Sequence, residues 1–321
     1  MSSEVEVDTN LTFAVIGAGA VGGYYGAMLA RAGHEVHFLA RNHAPDMNRN
    51  GIEVLSPHGD FTVAPVHAHP TWDTVPTCDV VIVAVKATAN DDVFARVSTV
   101  VKSNGVVLLI QNGIGSELHL TAHLPDSVEI VGGLAFIGAE KTGSNQVSHS
   151  NYGALTLGVF AADYGQAQSD TRFIDLTDAL TNSGVITHVS DNLLAARWQK
   201  LIWNIPFSAL SVILDATTAE LIGHPATYRL AQTMMDEVMV AAAADGCPLP
   251  ADLPDGMLAA TRSMKPYSTS MKVDFNAGRS LEYEAIAGGA LARARATNTP
   301  MPTLEAIYRQ LAFIDSQIRG L

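Results

Sequence analysis

The run Gly17-Ala18-Gly19-Ala20-Val21-Gly22 directly follows a short apolar segment, Thr12-Phe13-Ala14-Val15-Ile16. It directly precedes a helix-like stretch that ends near Arg31-Ala32-Gly33. A G-x-G-x-x-G pattern alone is a weak signal. Between a strand and a helix, with a second strand-like run at 35–39, it narrows the choice of folds sharply. The glycines serve different purposes. Gly17 permits the sharp turn, Gly19 lets the backbone approach a pyrophosphate with no Cβ in the way, and Gly22 allows close helix–strand packing. The free N–H groups where Ala20 and Val21 open the helix would then bind phosphates, so the segment predicts a dinucleotide cofactor.

Further apolar runs follow at 79–85 and 105–110, each succeeded by a loop and a helix-like stretch. Val80-Val81-Ile82-Val83-Ala84-Val85 and Val106-Val107-Leu108-Leu109-Ile110 do not alternate with polar residues. Strands apolar on both faces belong to parallel sheets covered by helices on both sides. The expectation is an α/β fold: a doubly wound, Rossmann-type sheet in the N-terminal half, residues 1–190. Short strand candidates at 128–134, 136–140, 146–150 and 154–158 suggest added antiparallel edge strands, followed by a helix at 167–182 and a last strand at 185–189. From Asp191 the strand patterns stop. Helices are expected from Asp191 past Leu210 and around 226–245, 284–296 and 303–319, making residues 191–321 an all-α domain.

The 321 residues suit about two domains, and 48% hydrophobic content is enough to build two cores. A formal net charge of −13 argues against nucleic acid or an anionic membrane as the main partner, though not against a small anion. Cys78 and Cys247 cannot make a disulfide framework and read as thiols of a reducing compartment. The acidic N-terminus lacks a signal peptide's apolar core, and no apolar run approaches the ~20 residues of a membrane helix. A soluble cytoplasmic protein is expected, and a homodimer is compatible with the sequence.

The second strand bears on which dinucleotide binds. An NAD site usually ends it with Asp or Glu, for the ribose 2′-hydroxyl. Here Glu35-Val36-His37-Phe38-Leu39 runs into Ala40-Arg41-Asn42. A guanidinium at Arg41 suits a 2′-phosphate, so NADP(H) is expected. Ligands of doubly wound sheets bind outside the carboxyl ends of the strands, where Lys86 and Gln111-Asn112-Gly113 stand. In the helical half, Lys200, Asn204 and Ser208 are spaced four apart and form one polar stripe on an otherwise apolar helix. A lysine lining a cleft beside a nicotinamide suits carbonyl reduction, because a partly desolvated ammonium can protonate the developing alkoxide. The polar segment from Tyr267 to Glu284 adds serine hydroxyls, Ser270 among them, as candidate contacts for a carboxylate, and Glu282 or Glu284 as the acceptor for a substrate hydroxyl.

Taken in order, Gly17-x-Gly19-x-x-Gly22, Arg41, Lys86, Gln111-Asn112-Gly113, Lys200-x-x-x-Asn204, Ser270-Met271 with Asp274, and Gly278-Arg279-Ser280-Leu281-Glu282 resemble the ketopantoate reductase (2-dehydropantoate 2-reductase) family. The likeness runs from Thr12 to about Leu311. It implies NADPH-dependent reduction of a small 2-oxo acid, classically 2-dehydropantoate to pantoate in coenzyme A synthesis. It implies Lys200 as general acid and Glu282 holding the substrate hydroxyl, with Asn112, Asn204 and Ser270 as polar contacts; the stripe on the helix adds Ser208 as a candidate substrate contact. It places Arg41 at the 2′-phosphate, Lys86 near cofactor and substrate, and the loop from Gly17 through Ala18, Gly19, Ala20 and Val21 to Gly22 on the cofactor. One departure stands out: the family often has a second asparagine four residues after Asn204, where this chain has the shorter Ser208.

Three other readings remain. A paralogue could reduce a different 2-oxo acid or ketone, and a non-catalytic NADP(H)-binding sensor would keep the glycine loop but need neither Lys200 nor Glu282. A β-hydroxyacid dehydrogenase of the 6-phosphogluconate type shares a Lys-x-x-x-Asn helix, but usually has glycines shortly before the lysine; Ala195-Ala196-Arg197-Trp198-Gln199 stand here. No metal is expected: His119-x-x-x-His123 has helical spacing, but Leu120 occupies the glutamate position of the zinc protease motif.

Overall fold

The computed structural model describes residues 11–161, 164–165, 170–264 and 268–320. The expectations for residues 167–169 and Tyr267 lie outside this set. The first half contains β1 (Thr12–Ile16), α1 (Ala20–Arg31), β2 (Glu35–Leu39), α2 (Ala44–Asn50), β3 (Ile52–Leu55), β4 (Phe61–Val63), β5 (His67–His69), β6 (Cys78–Val83), α3 (Asn90–Val97), β7 (Val101–Ile110) and α4 (Ser116–Thr121). It continues through β8 (Glu129–Lys141), β9 (Gln146–Val159), α5 (Thr171–Asn182) and β10 (Thr187–Val189). Helices follow: α6 (Leu193–Ile213), α7 (Thr218–Gly223), α8 (Pro225–Ala244), α9 (Leu253–Ser263), α10 (Ser270–Asn276), a wide turn over Glu284–Gly288, α11 (Gly289–Ala296) and α12 (Pro302–Arg319).

The chain divides into two compact units. The first comprises residues 1–85, 89–111 and 117–193; the second comprises 86–88, 112–116 and 194–321. The two loops at the carboxyl ends of β6 and β7, which carry Lys86 and Asn112, therefore belong with the helices. The first unit is a Rossmann-type α/β domain and the second is helical.

In the first unit the sheet runs β4-β3-β9-β8-β7-β6-β1-β2-β5, with β10 beside β9. β5, β2, β1, β6, β7 and β8 are parallel throughout. The unalternating apolar runs behave as expected, since Val80 to Val83 and Val106 to Leu109 are all at most 2% exposed. β9 is antiparallel to β8 and is continued outward by β3 and β4. Each of β8 and β9 is one long strand where the sequence suggested two. The expected break at residue 135 is absent, since Ala135 pairs regularly with Leu155; register shifts come just after it, at Phe136/Ile137 and Gly138/Ala139, and are bulges that bend the pair without ending it.

The length of β8 matters. It pairs with β7 from Val106↔Glu129 to Ile110↔Gly133, so residues 134–141 run on past the carboxyl end of the parallel sheet. There β8 and β9 turn over α1, which packs on β1 and β2 and also on β3, β8 and β9. Tyr25 Oη donates to the Gly153 carbonyl at 3.4 Å, and the Tyr24 ring lies 4.6 Å from that of His149.

The second unit is built around α6. Apolar residues along it, including Trp198, Leu201, Ile202, Ile205, Phe207 and Leu210, are buried. α6 runs through Pro206, which offers no N–H to the Ile202 carbonyl. The expected 284–296 helix opens with the wide turn over Glu284–Gly288 before continuing as α11.

Candidate active site

In the first unit the glycine loop joins β1 to α1. Gly17 has φ +100°, and a Cβ there would lie 2.9 Å from the Val85 backbone nitrogen and 3.0 Å from the Ala84 carbonyl carbon. At Gly22 a Cβ would lie 2.3 Å from the Gly17 carbonyl oxygen. The protein's own packing explains both. Gly19 differs, because a Cβ there would meet nothing within 4 Å. The fold itself does not require glycine at that position; a group approaching from outside the chain would. Gly19 is also the N-cap of α1 and supplies no side-chain cap. The first-turn N–H groups thus lack the usual protein acceptor. This arrangement fits the phosphates of a dinucleotide. Arg41 follows β2 directly, exposed and at φ +52°, in the left-handed region that arginine rarely adopts. Gln111 is not free to meet a ligand through its amide nitrogen, which donates to the Val85 carbonyl at 2.9 Å and to Asn90 Oδ1 at 2.7 Å.

In the second unit a polar cluster forms around α6, α10, the segment before Tyr283 and the two loops at 86–88 and 112–116. Lys200 and Asn204 are half-buried on α6, and Ser208 is buried one turn further on. Burial pushes the Lys200 ammonium down to about 7; the positive charge of Arg197, one turn earlier and 2% exposed, works in the same direction, while Glu282 opposes it. Glu282 is 7% exposed. Its Oε1 accepts the Ala87 N–H at 2.9 Å, and it is also hydrogen-bonded by the Asn112 side chain. Burial raises its carboxyl above the usual glutamate range, against the pull of the Ala87 N–H and of Lys86. Asn112 is held nearby because Gly113 turns at φ +93°, where a Cβ would lie 2.2 Å from the Ala285 carbonyl oxygen. Ile114 N–H donates to that same oxygen at 3.1 Å.

Lys86 is ion-paired with Asp274, a buried carboxylate that Arg279 also reaches, with Nη2 at 2.9 Å and Nε at 3.0 Å. Ser270 opens α10 and is exposed; its neighbour Thr269 caps the helix and exchanges a 2.8 Å hydrogen bond with Ser211. Beside Asn204, Trp203 donates from Nε1 to Thr261 Oγ1 at 2.9 Å and stacks on Phe207 at 5.0 Å. The cluster therefore joins a half-buried, easily deprotonated lysine to a buried carboxylate and two side-chain amides, a set that can give and accept protons and hydrogen bonds at a carbonyl and a hydroxyl.

The family model for ketopantoate reductase PanE/ApbA matches residues 13–162, and that for its C-terminal part matches residues 192–315. A 2-dehydropantoate 2-reductase from Nostoc sp. is 39% identical over 307 residues, 96% of each chain. The chain belongs to the ketopantoate reductase family. Solved 2-dehydropantoate 2-reductases resemble it as folds. The one from Geobacter metallireducens has a TM-score of 0.89 at 33% identity, covering 94% of this chain and 99% of its own. The one from Methylococcus capsulatus has a TM-score of 0.87 at 32% identity, covering 96% and 98%. The family comprises oxidoreductases acting between CH–OH and C=O with a nicotinamide cofactor. No helix among the described residues is long and apolar enough to cross a membrane.

The second unit brings together five residues singled out in the sequence: Lys86, Asn112, Lys200, Asn204 and Glu282. Arg197 escaped that reading because it resembles a solvated residue in the first turns of an amphipathic helix. Its spacing of three from Lys200 was the available signal.

Proposed function

We propose that this chain is an NADPH-dependent reductase that converts 2-dehydropantoate to pantoate, with Lys200 as the general acid. Lys200 carries the reading: it is a half-buried lysine held at about 7, so it is partly protonated near neutral pH and gives up its proton readily. A bound dihydronicotinamide supplies the hydride that adds to C2 of the 2-oxo acid. As negative charge builds on the former keto oxygen, the Lys200 ammonium transfers its proton to that oxygen and the neutral amine is then reprotonated from solvent. Glu282 accepts the substrate's hydroxyl, leaving Oε1 on the Ala87 N–H. Asn112, Asn204, Ser208 and Ser270 supply polar contacts to the carboxylate and carbonyl. The loop from Gly17 to Gly22 carries the pyrophosphate, Arg41 meets the 2′-phosphate, and Lys86 adds positive charge near the ligands. Lys200→Ala should reduce kcat by about 10²-fold or more while NADPH still binds. Equal loss of NADPH binding would remove the acid role.

A second reading has its own support. Ser208 stands where the family often has asparagine, and the Trp203–Phe207 stack adds bulk next to Asn204. Both favour a 2-oxo acid with a different side chain. NADPH consumption measured against 2-dehydropantoate and a panel of 2-oxo acids separates the two readings by kcat/KM.

A further inference from the structure

Lys141 is the last residue of β8, on the stretch that overruns the parallel sheet. Its Nζ donates to the carbonyl of Ala18, inside the glycine loop, at 2.7 Å. Ala18 and Lys141 line a small cleft with Met47 of α2, Ser144 and Asn145. α2 begins just after the short turn that carries Arg41. The ammonium is half-buried, and among the described residues no carboxylate forms an ion pair with it. The neighbouring polar side chains are committed elsewhere: Asn145 Nδ2 donates to the Gly51 carbonyl at 3.1 Å and Gln146 Nε2 to Glu53 at 2.7 Å. Burial without a counter-charge lowers the Lys141 ammonium from its ordinary value.

A partly desolvated cation with no anion beside it gains from a ligand that brings the missing charge. Ala18 takes one of the three ammonium donors. The loop it belongs to is where the uncapped N–H groups of α1 begin. We propose that Lys141 is a second phosphate-binding cation of the dinucleotide site, acting from the β8 overhang alongside the glycine loop and Arg41. This rests on the reading of the loop as a nicotinamide dinucleotide site. The shared chemistry is an ammonium–phosphate contact, and its two possible sources are the 2′-phosphate and the pyrophosphate.

The test measures Kd for NADPH and NADH, by titration, on wild type, Lys141→Met and Lys141→Arg. Lys141→Met keeps the apolar stem and removes the charge. The expected result is a rise in NADPH Kd of about tenfold or more for Lys141→Met, with Lys141→Arg near wild type. The NADPH salt dependence should also weaken in Lys141→Met, an effect that a merely structural tie to Ala18 would not produce. A loss confined to NADPH assigns the 2′-phosphate; an equal loss for NADH assigns the pyrophosphate. Unchanged Kd for both overturns the proposal while the dinucleotide reading stands. A wild type that binds neither nucleotide overturns both. Should Lys141→Met fail to fold, amine acylation of wild type decides: NADPH must protect Lys141, and labelling unaffected by saturating NADPH refutes the contact.

Discussion

Gly19 and Gly22 lie one turn apart and answer to different constraints. A Cβ at Gly22 runs into the Gly17 carbonyl oxygen, whereas one at Gly19 enters open space. Gly22→Ala should therefore destabilise the protein by about 1–3 kcal/mol, seen as a lower urea midpoint. Gly19→Ala should leave that midpoint nearly unchanged and weaken NADPH binding instead. Lys200 gives a pH test. A general acid must be protonated to act, and burial sets this one at about 7 in the ligand-free protein, so kcat/KM should fall as pH rises through about 7. A rate that stays flat to pH 9 would exclude Lys200 as the titrating donor. The turn at Gly17, the close packing at Gly22 and the helix that carries Lys200 were legible because the signal is local: six consecutive residues, or one helix face. Lys141 was not legible, because its partner Ala18 is 123 residues away and no spacing rule joins a strand end to a distant loop. Ser270 opens α10 beside Thr269, which makes the hydrogen bonds of that turn and leaves Ser270 exposed.

At the level of elements, α5 begins at a cap that also bears on a buried acid. Asp170 accepts from the Arg172 N–H at 2.8 Å and the Phe173 N–H at 3.3 Å. Asp170→Ala should cost about 1 kcal/mol, measurable by denaturant unfolding. At the start of β8, burial pushes the Glu129 carboxyl up to about 7, with Asp170 adding and Arg172 opposing. An acid whose folded value is raised lends relative stability below its ordinary range and loses it as pH rises through about 7. Glu129→Gln should thus melt higher than wild type at pH 8 and show no such advantage at pH 4. The main parallel strands were readable from unbroken Val/Ile/Leu runs. β3, β4 and β5 were not, because three- and four-residue strands such as His67–His69 show too few residues for a period. α7 and α10 are likewise short, and α9, of eleven residues, carries Pro254 and Gly256 near its start, which read as loop residues.

For the molecule as a whole, ligand linkage offers the broadest check. A ligand that binds only the folded state at 100 times its Kd stabilises by about 2.7 kcal/mol. NADPH at that level should raise Tm, and NADH at the same concentration should raise it less if Arg41 reads the 2′-phosphate. No shift with either would set aside the dinucleotide reading. The path of β8 and β9 over α1 also has a consequence for synthesis. α1 leaves the ribosome before β8 and β9, yet part of its cover arrives only with those strands, about a hundred residues later. Until then, the nascent chain presents Tyr24 and Tyr25 without the Gly153 and His149 partners they meet in the finished fold. Chains stalled before β8 should depend on holdase chaperones, and those released after β9 should not.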